Sequence, residues 1–348
     1  MNPYIYIIFL FGLGLGTTIT LTSSHWLLAW MGLEINTLAI IPLMSQNHHP
    51  RAVEASTKYF LTQATAAAML LFASISNAWL TGQWDIQQMS HPLVSSMMIL
   101  ALALKIGLAP LHVWLPEVLQ GLDLTTGLIL STWQKLAPFC LIIQIHPHDP
   151  TILIILGLLS TFIGGWGGLN QTQLRKVLAY SSIAHLGWMA IIIQFSTPLA
   201  LVTLLTYFLM TFSLFLSFKV TNSTTINALA TSWAKNPALT SLLPLILLSL
   251  GGLPPLTGFF PKWMILLELS TQQLAATATI AALSALLSLY FYLRLSYAMT
   301  LTASPNNLTG VLTWRLFPQH STLPLAIATA STICLLPLAP AAAALLTF

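Results

Sequence analysis

The stretch KIGLAPLHVWLPE, Lys105 to Glu117, decides how this chain is to be read. The segment before it, LVSSMMILALAL, carries no charge. An amine, two prolines (Pro110 and Pro116) and a carboxylate then follow within thirteen residues. Proline removes a backbone donor and clashes with the preceding turn, so a helix running into this stretch breaks. A charge beside a broken helix is costly in an apolar setting, and packing alone is a poor reason to keep it.

The setting is apolar throughout. Of 348 residues, 56% are hydrophobic and only 5% are charged. Soluble domains carry about a quarter charged residues, so this chain is too poor in charge to cover a water-facing surface. The composition predicts an all-α polytopic membrane protein. The net charge of +4 rests on only 11 Lys and Arg and points to no nucleic-acid partner. Cys140 and Cys334 lie in apolar segments and read as small core residues. They form no metal or redox motif. The N-terminal MNPYIYIIFLFGLGLG lacks a basic start and a small-residue cleavage site, and reads as a first span. Its glycines, Gly12 to Gly16, have neither the spacing nor the preceding strand of a dinucleotide site, and suit close helix approach.

With roughly 20 apolar residues per bilayer crossing, the hydropathy predicts about eleven spans, at 3–22, 25–45, 54–80, 93–117, 124–145, 151–170, 175–195, 198–220, 239–267, 274–299 and 322–346. Lys105, Lys135 and Lys262 fall within or at broken ends of spans. When the chain is threaded back and forth, the other basic residues (Arg51, Lys58, Arg175, Lys176, Lys219, Lys235, Arg294 and Arg315) all land on the side of the N-terminus. The opposite loops hold Asp85, His91, His146, His148, Asp149 and Glu268. Basic residues favour the inside, which predicts an inside N-terminus and an outside C-terminus.

The opening stretch has a twin. In GGLPPLTGFFPKW, Gly251 to Trp263, Gly252, Leu253, Pro255, Leu256, Phe259 and Pro261 match Gly107, Leu108, Pro110, Leu111, Trp114 and Pro116. The copies lie on the fourth and ninth predicted spans. An offset of five means that the two units cross in opposite directions, the plan of inverted repeats in which broken helices mark an ion path. The predicted organisation is a first five-helix repeat at 1–146, a second, inverted repeat at 147–300, and a loop with a final span at 301–348. The breaks are expected at Pro110 and at Pro254 and Pro255.

Glu34, in HWLLAWMGLEINTLAIIPLM, lies near the middle of the second span. Each charge at the bilayer centre costs roughly 2.5–3.5 kcal/mol, so Glu34, Lys105, Lys135 and Lys262 together cost on the order of 10 kcal/mol, as much as a domain's net stability. Pairing, internal water or loss of charge must relieve this, and burial itself disfavours the ammonium form. The expectation is a Glu34–Lys105 pair whose proton affinity depends on its geometry, with Lys135 as acceptor and Ser131, Thr132 and Gln134 holding water beside it. His112, just past the first break, and His185, near Tyr180, Ser181 and Ser182, are further relay candidates. A helix–helix hydrogen bond is the competing role for either histidine. Glu117 and Asp123 read equally as solvated residues or entrance carboxylates. Glu54 and Lys58 read as an ordinary i,i+4 pair.

These segments carry a resemblance. HWLLAWMGLEINTLAIIPLM (25–44), KYFLTQATAAAMLLF (58–72), LALKIGLAPLHVWLPEV (102–118), RKVLAYSSIAHLGWM (175–189) and GGLPPLTGFFPKW (251–263) resemble the antiporter-like membrane subunits of respiratory complex I, in their animal mitochondrial form. The resemblance runs over essentially the whole chain. It implies a five-plus-five inverted repeat and a proton path through the residues matching Glu34, Lys105, Lys135 and Lys262. It implies no cofactor and no metal in this chain, with NAD, FMN, iron–sulfur clusters and ubiquinone handled elsewhere in the complex. The implied partners are the other membrane-arm subunits, supernumerary subunits and lipids, cardiolipin among them. The implied place is the mitochondrial inner membrane, with the N-terminus in the matrix and the C-terminus in the intermembrane space. Two rivals stay open at this point: a free-standing cation/proton antiporter, and an inert scaffold that retains charges without using them.

Overall fold

Proline at a helix's first turn and glycine just past its end mark several boundaries of this chain, because proline's missing donor is harmless at the start and glycine tolerates the left-handed turn at the end. A computed structural model describes residues 3–46, 49–89, 91–145, 150–234, 236–301 and 322–346. His146, His148, Asp149, Lys235 and Arg315 lie outside the described residues. The described chain is helical apart from turns and two isolated β-bridges.

Two compact units divide at residues 159 and 160. The first begins with α1 (Pro3–Thr22), α2 (Trp26–Met44) and α3 (Pro50–Thr81). It continues with α4 (Pro92–Ile106), α5 (Trp114–Gly121), α6 (Leu124–Ser131) and α7 (Trp133–Gln144). The boundary falls inside α8 (Thr151–Gly168). The second holds α9 (Leu174–Ile192), α10 (Thr197–Thr221), α11 (Ile226–Ala230), α12 (Pro237–Gly251) and α13 (Phe259–Thr271). It ends with α14 (Ala275–Thr300), α15 (Leu323–Cys334) and α16 (Ala339–Leu346). Among the described residues, seven helical segments are long and apolar enough to cross a membrane. Three shorter apolar helices are α4, α12 and α15.

The breaks fall where the glycine–proline twins lie. Gly107 and Gly252 end α4 and α12 with φ of 87° and 82°, a conformation that costs glycine little. In each copy the following leucine donates to the same relative carbonyl: Leu108 to Ala103 (2.9 Å) and Leu253 to Leu248 (3.3 Å). The Ala109–Pro110 and Pro254–Pro255 bonds are both cis. Each unit also has one β-bridge in the corresponding place, His25 with Asp85 and Gln173 with Thr225. In the first unit α3 packs against α2, α4 and α5; in the second, α10 packs against α9, α12 and α13.

Glycines set the closest approaches, as small residues do between helices in a membrane. A Cβ on Gly16 would collide with Asn36 and with the Gly32 carbonyl of α2. Gly14 meets nothing within 4 Å, so only part of the Gly12–Gly16 run serves packing. Outward faces remain apolar, with Tyr4, Ile8 and Phe11 on α1 and Leu283, Leu286 and Tyr290 on α14 exposed, as a hydrocarbon solvent requires.

The apolar segment Leu124–Gln144 meets the fifth expected span, its helix interrupted at Thr132, whose φ of −113° and ψ of −70° leave the regular helix. Two expectations are corrected. The final span is divided after Cys334 by a 3₁₀ turn at Leu336–Leu338, where Pro337 and Pro340 remove helix donors. Cys334 is exposed at that point, not a core residue, while Cys140 is half-buried.

Candidate functional site

The carbonyls freed at the end of α4 must find donors, since the surrounding medium supplies none. Trp114 Nε1, from the first turn of α5, donates to the Leu104 carbonyl at 3.1 Å. Gln63 Nε2, from α3, donates to the Lys105 carbonyl at 3.4 Å. The break is therefore held shut from both sides, and Lys105 is fixed at the end of α4. Trp114→Phe keeps the ring and loses the donor. It is expected to lower stability by about 1–3 kcal/mol, the cost of an orphaned acceptor, measurable as a lower thermal midpoint of the assembled protein.

Lys105 is 6% exposed and its Nζ makes no hydrogen bond. It faces a cavity of about 20 Å³ that Lys135, 3% exposed, also lines. Asn36, Thr37, Gln63 and Gln134 supply the polar part of the wall. That volume holds about one water molecule. Lys135 reaches the cavity from α7, one turn past the interruption at Thr132. Pro138, also in the wall, leaves the Gln134 carbonyl without its helix donor. Gln134 Nε2 in turn donates to the Asn36 carbonyl at 3.3 Å, tying α7 to α2.

The expected direct Glu34–Lys105 ion pair is not formed. Glu34 is half-buried on α2, and among the described residues the ion pairs within 4 Å do not include it. Glu34 instead accepts a hydrogen bond within its own helix. The physical link is Thr37, whose hydroxyl lies 3.1 Å from Glu34 Oε2 and 2.9 Å from the Glu34 carbonyl while lining the cavity. Of the residues expected to hold water beside Lys135, only Gln134 lines the cavity. Ser131 and Thr132 donate back to the Leu128 carbonyl at 3.0 and 2.8 Å.

His112 sits in the first break with Nδ1 3.3 Å from the Pro110 carbonyl, and does not line the cavity. Glu117 is neither free nor an isolated entrance group. It joins Lys58 at 2.8 Å, and Lys58 also meets Glu54 at 2.8 Å. All three are exposed, so this network orients α5 on α3 more than it stabilises.

In the second unit, Lys262 lies on the first turn of α13 and reaches back to the end of α12. Nζ donates to the Gly251 carbonyl at 2.8 Å and to the Leu250 carbonyl at 3.4 Å. A cation at a helix C-terminus meets the negative end of the helix dipole. By the sequence match Lys262 corresponds to Glu117, yet it serves the end of the broken helix as Trp114 and Gln63 do in the first copy: Leu250 matches Lys105, whose carbonyl Gln63 holds, and Gly251 matches the next residue, Ile106. His185 packs against Tyr207 with ring centroids 5.6 Å apart. Ser181 and Ser182 are fully buried and donate to the Leu178 and Ala179 carbonyls, both at 2.8 Å. Among the described residues, no group of three His, Cys, Asp or Glu is placed to hold a metal ion.

Residues 23–288 match the family model for NADH:quinone oxidoreductase/Mrp antiporter membrane proteins. The chain belongs to that family. Residues 289–343 match the C-terminal model of NADH dehydrogenase subunit 2. NADH-ubiquinone oxidoreductase chain 2 of Tetraodon nigroviridis is 74% identical over 340 residues, 98% of each chain. The Salmo salar protein of that name is 67% identical over 348 residues, all of both chains. A chain of respiratory complex I from Thermus thermophilus superposes with a TM-score of 0.86 at 28% identity, covering 99% of this chain and 80% of that one. The Mrp complex of Dietzia shares the fold, with a TM-score of 0.77 at 16% identity over 95% of this chain and 74% of that one. The chain is thus an antiporter-like membrane subunit of complex I, a multi-pass mitochondrial protein whose partners are other subunits of that complex.

Proposed function

We propose that this subunit carries protons across the mitochondrial inner membrane through Glu34, Lys105, Lys135 and Lys262, driven by electron transfer in partner subunits. The observation that carries the reading is the Lys105 amine: buried, without a hydrogen-bond partner, and facing a polar cavity shared with Lys135. A side chain kept charged only for structure would hold a counter-charge or a set of acceptors. An amine that must alternately bind and release a proton is better served by a weakly held setting. Glu34 modulates that amine through its field, and Thr37 connects it to the cavity. His112 and His185 are candidates for proton relay. The first repeat, 1–146, and the second, 147–300, use the same broken-helix device with different capping groups.

NAD, FMN, iron–sulfur clusters and ubiquinone belong to partner subunits in this reading. Supernumerary subunits and lipids, cardiolipin among them, cover the outer faces. The segregation of basic residues supports a matrix N-terminus and a C-terminus toward the intermembrane space.

Lys262→Ala tests the second unit's part in the reading. Complex I carrying it is expected to assemble in reduced but measurable amount, because the α12 carbonyls lose their donor at a cost of about 1–3 kcal/mol. Its proton yield per electron pair is expected to fall. Wild-type proton yield in the assembled variant is the contrary result.

A further inference from the structure

We infer that Asn36 holds the water through which Lys105 and Lys135 exchange a proton; this rests on the relay reading above. Asn36 is 2% exposed, lines the cavity between the two amines, and has both Nδ2 and Oδ1 buried with no hydrogen bond. A carboxamide offers two donor hydrogens and an acceptor oxygen. Buried polar groups are otherwise almost always satisfied, so a side chain with both ends unpaired beside an unpartnered amine marks a place for water. The cavity of about 20 Å³ admits about one such molecule.

The surroundings hold the carboxamide in place. Gly16 of α1 lies so close that a Cβ there would collide with Asn36 Oδ1. On the other side, Gln134 fixes the backbone of Asn36 from α7. The side chain cannot withdraw toward α1, and its residue cannot drift from Lys135. An alkyl group of the same shape would pack equally well and would dry the cavity. The transfer balances without another reactant. An N–H bond breaks at Lys105 as the water gains a proton, and the water releases another to form an N–H bond at Lys135.

The test uses assembled complex I carrying Asn36→Leu, Asn36→Ser or Lys105→Met, assayed for coupled turnover in H₂O and D₂O. Asn36→Leu is expected to lower turnover by about tenfold or more, the scale of a lost proton-transfer group, and to enlarge the solvent isotope effect. Asn36→Ser keeps a hydroxyl for the water and is expected to recover most of the rate. A change in packing alone leaves the isotope effect unmoved. Wild-type rate and isotope effect in Asn36→Leu, with Lys105→Met impaired, overturn the role of Asn36 and leave the relay standing. Wild-type behaviour in both overturns the relay itself. Should Asn36→Leu fail to assemble, a high-resolution map of the unmodified complex decides. Ordered density within about 2.7–3.2 Å of the Asn36 carboxamide and of Lys105 Nζ is expected, and a carboxamide bonded to protein groups alone overturns the inference.

Discussion

Lys105→Met is expected to leave complex I at least as stable as the wild type and unable to pump at the wild-type rate. The two effects have separate physical origins. Methionine fills nearly the volume of the lysine stem and adapts to irregular gaps. Lys105 has no ion pair or hydrogen bond to lose. Removing its charge from the bilayer interior relieves roughly 2.5–3.5 kcal/mol. Replacing a buried charged group by an apolar one of similar volume is often neutral or stabilising. The thermal midpoint of the assembled complex is therefore expected to hold or rise. Coupled turnover is expected to fall by about tenfold or more, because a positioned proton carrier contributes at least that much. Stability and rate moving in opposite directions separate a working amine from a structural one. Lower stability with unchanged turnover places Lys105 among the scaffold residues.

Gly258→Ala is expected to have the largest effect on assembly. Gly258 caps the start of α13, directly against the backbone carbonyl of Ser249 in α12, and a Cβ has no room there. Its φ is −66°, so alanine suffers no backbone strain and the effect is purely one of space. The obstructing atom is main chain and cannot rotate away, and Met210 Sδ closes the other side. Overpacking by flexible side chains costs about 1–3 kcal/mol, and a rigid carbonyl puts this substitution at or above the upper end. The halves of the second broken helix must separate, which pulls Lys262 from the Gly251 carbonyl. The amount of assembled complex on a native gel is the readout, and a strong decrease is expected. Gly14→Ala, on an open face with nothing within 4 Å, is the matched control and is expected to assemble normally.

Much of this was legible in the sequence, for identifiable reasons. Hydropathy reports membrane spans directly, because an apolar solvent leaves few alternatives to helices. The two breaks were legible because glycine and proline recur at the same spacing in both copies, and those residues act through their own backbones. The interruption at Thr132 was not, since threonine tolerates a helix. The division after Cys334 had a signal in Pro337 and Pro340 that the apolar run around them masked. Lys105 and Lys135 stood out as charges in hydrocarbon. Asn36 and Thr37 did not, because a lone amide or hydroxyl in a span reads equally as a helix–helix contact. Only the tertiary arrangement shows Asn36 lining a cavity with its carboxamide unpaired, and Thr37 joined to Glu34. The tie from Lys58 to Glu117 spans 59 residues, and no local pattern announces it.

On the proposed relay, Lys105 and Lys135 pass protons across the cavity they share. The most direct test is the number of protons moved per electron pair by complex I carrying Lys135→Met in sealed vesicles, with assembly verified on the same sample. A yield below that of the wild type is expected, because the acceptor amine is gone. A wild-type yield at wild-type turnover rules the exchange out.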